Sequence, residues 1–137
     1  MSTPSAVRSG GTALLRGSAV IAAVLADVLI WIVADVFLES DLRIPDGPGT
    51  TATSALALPA VAISVAVISL AGWALLAVLE RLHRHGRTAW TVVALLVLVL
   101  SLFAPLFSPG LGPGNRVALV CLHLAAAAIL IPAYRRR

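Results

Sequence analysis

The stretch GSAVIAAVLADVLIWIVADVFL, residues 17–38, decides the fold. Only two charges, Asp27 and Asp35, interrupt an otherwise apolar run. A helix rises about 1.5 Å per residue and bilayer hydrocarbon is about 30 Å thick, so about 20 apolar residues cross it. A secretory signal core is only about 7–15 residues and ends at a small-residue cleavage site. This run is longer and no such site follows it, so it reads as an uncleaved first span.

Three further runs of the same kind follow. Residues 54–79 carry no charge, and Pro59 lies in the first turns, where its missing N–H costs least. Residues 89–107 end in the Pro/Gly turn SPGLGPG, and residues 115–134 end against Arg135, Arg136 and Arg137. Between the first two runs, ESDLRIPDGPGTTAT (39–53) is too rich in breakers for a helix. The expected architecture is an all-α, polytopic membrane protein: a four-transmembrane-helix bundle over residues 17–134. It is preceded by a disordered segment, 1–16, and followed by a basic tail, 135–137.

Composition agrees. The chain is 60% hydrophobic and 12% charged, whereas soluble domains carry about 25% charged residues. Its mean hydropathy is +1.02. The ten basic residues are all arginine. They flank apolar runs, which fits headgroup anchoring and argues against nucleic acid as a partner. Arg8, Arg16, Arg81, Arg84, Arg87 and Arg135 to Arg137 fall on one side of a four-span chain, and Arg43 and Arg116 on the other. The positive-inside bias predicts that both termini are cytoplasmic, in a bacterial cytoplasmic membrane. Trp90 and Tyr134 then fall at the inner interface, where amphipathic rings collect. The absence of lysine beside abundant Ala, Leu, Val, Gly and Arg points to a GC-rich genome.

Packing in lipid depends on small residues that let helices approach. The first span offers Ala19, Ala23, Asp27, Trp31 and Asp35, each four residues from the last. Ala62, Ala66 and Ser69 in the second span and Ala118, Cys121, Ala125 and Ala128 in the fourth make similar stripes. The third span is mostly Leu and Val and is expected to face lipid.

Asp27 is the one clue to chemistry. A carboxylate at the bilayer centre costs roughly 2.5–3.5 kcal/mol on insertion scales and normally faces the bundle interior. His123, at matching depth in the antiparallel fourth span, is its expected partner, and Ser64 and Ser69 complete a candidate intramembrane polar cluster. Its plain reading is a hydrogen bond that pins the bundle; its functional reading is a proton or cation site. Asp35, Trp31 and Arg116 form a second candidate, a shallow outer cavity with Asp35 paired to Arg116. Glu80 and Arg84 are four apart and suit a helix-end ion pair. His83 and His85 lack the further ligands of a closed zinc site, so no metal is expected. The turn around HGR, residues 85–87, suits an anionic lipid surface. No phosphate loop, metalloprotease helix, CxxC pair or Gly-x-Ser-x-Gly elbow is present, so neither a cofactor nor an enzyme is expected.

Three motifs carry a resemblance: GWALLAVLER (72–81), SLFAPL (101–106) and LHLAAAAILIP (122–132). With the acid in the middle of the first span, they resemble an uncharacterised family of four-helix integral membrane proteins from actinobacteria. That resemblance implies the fold and supplies no activity. Small multidrug-resistance transporters also have four spans and a mid-membrane acid in the first. This chain lacks their glutamate motif and has an arginine bias against dual topology, so that likeness is architectural only. Two functions remain in view. One is a non-enzymatic protein acting through helix contacts with its own copy or a membrane partner. The other is a small proton-linked carrier or channel subunit using Asp27 with His123.

Overall fold

A computed structural model of the chain describes residues 5–136, with side chains described from Gly10 onward. Its elements are α1 (Ser5–Ile32), β1 (Arg43–Pro45), β2 (Thr53–Ala55), α2 (Leu58–Leu82), α3 (Gly86–Phe107) and α4 (Pro113–Arg135). Four segments are long and apolar enough to cross a membrane: Gly10–Phe37, Leu58–Leu82, Gly86–Phe107 and Pro113–Arg135. α1 packs on α2 and α4, α3 packs on the same two neighbours, and α2 and α4 touch across one diagonal. The result is an up-and-down four-helix bundle. The α2–α3 turn and the two helical termini lie at one end, rich in arginine. The β1–β2 hairpin and the α3–α4 turn lie at the other. α3 is the least enclosed helix.

The first helix departs from expectation. Residues 5–16 are helical rather than disordered, and Arg16 is buried in the bundle. The expected disorder of residues 1–4, the side chain of Arg8 and the last residue, Arg137, lie outside the described residues. The buried stripe of α1 runs Arg16, Ala19, Ala23, Asp27, which adds a charged end to the alanine stripe. Alanines at that seam let α2 and α4 approach closely, the main route to helix contact in lipid.

At the arginine-rich end Glu80 latches three helices. Arg16 donates from both Nη atoms to the two Glu80 oxygens, at 3.2 and 2.8 Å, and Arg87 donates from Nε at 2.6 Å. The expected Glu80–Arg84 pair does not form. α2 ends at Leu82, and His83 is extended (φ −138°, ψ 135°), so Arg84 leaves the helical register. Just inside this latch, Trp90 and Tyr134 turn inward rather than toward lipid. Their rings are 5.2 Å apart, Trp90 donates to the Gly72 carbonyl at 2.8 Å, and Tyr134 to the Ser69 carbonyl at 2.8 Å. Two aromatic donors thus tie α3 and α4 to consecutive turns of α2. They pack with Ala19, Ala23, Leu76 and Leu130.

At the other end a small hairpin replaces the expected structureless loop. α1 runs on as a π-helical turn, Val33–Phe37, and Glu39 and Asp41 then take left-handed backbone (φ 48° and 42°) to reverse the chain. β1 and β2 pair antiparallel, Arg43 opposite Ala55 and Pro45 opposite Thr53. The breakers Asp46-Gly47-Pro48-Gly49 make the turn. Residues 54–57, expected in the second span, belong to this strand and the link after it. Pro59 stands at the helix start, where proline fits best. Arg43 clasps β2 through Thr53 Oγ1 at 2.8 Å and the Thr53 carbonyl at 2.7 Å.

Candidate functional site

Asp27 is the only acidic side chain buried among the described residues, with 2% of its surface exposed. Its place on the α1 stripe, four residues after Ala23, puts it in the seam facing α2 and α4. Oδ1 has no hydrogen-bond partner among the described residues. His123 does not supply one. Its Nδ1 lies 2.7 Å from the Leu119 carbonyl, one turn back on its own helix. Leu122 is buried, and the next residue is rotated by about 100°, which carries the imidazole off the α1–α4 seam. His123 instead lines a groove of about 330 Å³ between α2, α3 and α4, with Ser69, Ser101 and Trp90 among its walls. Asp27 is not part of that lining.

The serines divide as well. Ser69 is fully buried and donates to the Val65 carbonyl at 2.6 Å, an internal helix bond that uses its one donor proton. Ser64 is exposed on the outer face of α2. Of the four residues expected to cluster, Asp27 and Ser69 are fully buried, His123 lies in the groove, and Ser64 faces away.

The second candidate site is a plug rather than a cavity. Trp31 Nε1 donates to the Leu56 carbonyl at 2.7 Å, and Asp35 Oδ1 accepts from the Leu42 amide at 3.0 Å. Leu42 itself is buried, packed with Ala34 and Ala118 against Trp31 and Leu56. Arg116 is elsewhere. Its guanidinium donates to the carbonyls of Leu106, Ser108 and Leu111, capping the last turn of α3 and the turn beyond. Helix ends leave carbonyls without partners, and these were nearer to hand than Asp35.

Two participants were not foreseen. Asn115, buried at the start of α4, accepts from the Arg43 amide at 3.3 Å and donates to the Arg43 carbonyl at 2.9 Å. Its side-chain amide takes the place of a neighbouring strand and fixes the hairpin over the bundle. Leu42 is the other. A lone leucine amid ESDLRIPDG was the one sequence signal for a loop that folds back.

Chemically, the described residues offer a sealed carboxyl, a groove with one imidazole, and two polar locks. No group of three or more potential metal ligands is present among them. A family model described as a family of unknown function (DUF6069) matches residues 7–137. No curated protein matches, and no solved structure does.

Proposed function

The chain belongs to that family, whose function is unknown, and from that premise we propose a non-enzymatic integral membrane protein that works through lateral helix contacts, with its own copy or a membrane partner. Its orientation in this reading follows the arginine bias, with the arginine-rich end toward the cytoplasm. One observation carries the proposal. Asp27 is sealed in the α1 seam and lines neither the groove nor the cleft at the arginine-rich end. A proton-linked carrier needs its acid in water on at least one side. Here Leu42 of the hairpin packs over one end, and Glu80 ties α1, α2 and α3 together at the other. The outer surface of the helices is free to make such contacts. Leu25 and Leu29 on α1, Ile63 and Ile68 on α2, and Leu96 and Leu100 on α3 all face outward. Such a surface serves lipid and other helices alike.

The orphaned Oδ1 of Asp27 is the observation favouring the carrier instead, because buried polar groups normally have partners. Proton flux separates the two. In vesicles loaded with a pH-sensitive dye, the full chain is expected to conduct protons no faster than empty vesicles, and Asp27→Asn to change nothing. A flux that disappears in Asp27→Asn overturns the helix-contact reading.

A further inference from the structure

The arginine-rich end holds a cleft of about 670 Å³. Its walls come from the α2–α3 turn, the first two turns of α3, and Arg135 at the end of α4. Among the described residues its only acid is Glu80, and both Glu80 oxygens are already taken by Arg16 and Arg87. Arg84 and Arg135, far apart in sequence, are brought to the same cleft. Both are exposed and make no ion pair among the described residues. Their charges are therefore left over after the latch has formed.

The cleft also has depth. It runs from the polar turn down α3 past Thr88 and Thr91 to Val92. Val92 is six residues beyond the helix start, about 9 Å along the axis. That wall belongs to a segment long and apolar enough to cross a membrane. A free anion needs only the rim. A molecule with an anionic head and an apolar tail fits both parts.

We propose that this cleft is a binding site for an anionic phospholipid, whose phosphate oxygens accept from Arg84 and Arg135 while its chain lies along α3. The proposal depends on the chain residing in a bilayer and is independent of whether it works by helix contacts. The sequence supplies an internal control. Arg81 is three residues before Arg84 in sequence and does not line the cleft.

The test uses the full chain, delipidated in neutral detergent and titrated with dioleoylphosphatidylglycerol, with native mass spectrometry counting bound lipid. One tight lipid is expected. Surface arginines near anionic lipid are worth about 1 kcal/mol each, so Arg84→Gln and Arg135→Gln are each expected to weaken binding about fivefold, and the pair about 25-fold. Arg81→Gln is expected to leave it unchanged. Three results overturn the proposal: Arg81→Gln weakening binding as much as Arg84→Gln, dioleoylphosphatidylcholine binding equally well, or displacement of the lipid by millimolar inorganic phosphate. The first means diffuse charge, the second a tail-only site, and the third a site for a soluble anion.

Discussion

Replacing Glu80 by alanine is expected to lower the unfolding free energy by about 3 kcal/mol, within the usual range for breaking a buried ion pair from one side. The cause is Arg16, which is only 6% exposed and whose Nε already lacks a partner. Without Glu80 its guanidinium is a buried charge with nothing to offset desolvation. Arg87 is partly exposed and loses far less. Removing both members of the buried pair is a different matter, because well-packed apolar residues replace such pairs at little cost. Arg16→Met combined with Glu80→Met is therefore expected to recover most of the loss. Reversible unfolding in mixed detergent micelles, followed by tryptophan fluorescence, measures both. A loss under about 1 kcal/mol for Glu80→Ala, the size of an exposed pair, means that Arg16 is solvated and the latch contributes little.

The second large effect is steric. Gly86→Ala places a Cβ 2.4 Å from the Leu79 carbonyl oxygen, 2.5 Å from its carbon and 2.6 Å from the Glu80 nitrogen. These are backbone atoms, so the α2–α3 turn must open. Overpacking of this kind costs about 3 kcal/mol, the upper part of its usual range. The sign is informative. At a helix start whose backbone suits alanine, the same change stabilises by roughly 0.4–1 kcal/mol. Gly17→Ala, inside α1, is the control in open space, since nothing lies within 4 Å of a Cβ there. Gly86→Ala should also disturb Glu80 and Arg87 on either side of the turn, so its loss should shrink in the Arg16→Met, Glu80→Met background. The same unfolding assay reads all of these. Equal stability of Gly86→Ala and the native chain contradicts the tight turn.

The four helices were legible because runs of about 20 apolar residues have few other uses. The hairpin was not. Its strands are three residues each, and Ala55 and Leu56 read as the first turn of the next span. Hydropathy cannot separate an apolar strand from an apolar helical turn, and only Pro59 marked the boundary. The burial of Asp27 was legible from its spacing with Ala19 and Ala23. Its expected pairing with His123 does not form, although depth and helix adjacency both allowed it. In a helix that is apolar on every side, hydropathy does not fix rotation about the axis. A step of one residue, from Leu122 to His123, then decides which neighbour a side chain meets. Arg116 shows a second limit. Formal charge suggested Asp35, but the carbonyls ending α3 and the Leu42 amide are local partners that charge counting never sees.

Asp27 sits in a sealed seam and not in a watered cavity. Thiol accessibility at that position tests it most directly. Cys121 is exposed on α4 and is first replaced, as Cys121→Ser. Asp27→Cys and, as a reactive reference, Ala52→Cys on the exposed hairpin turn are then introduced separately. The full chain in vesicles is exposed to a charged, water-soluble methanethiosulfonate from either side. Rapid modification is expected at position 52 and none at position 27. Modification at position 27 from either side, at a rate approaching the reference, contradicts it and makes the carboxyl part of a hydrated path.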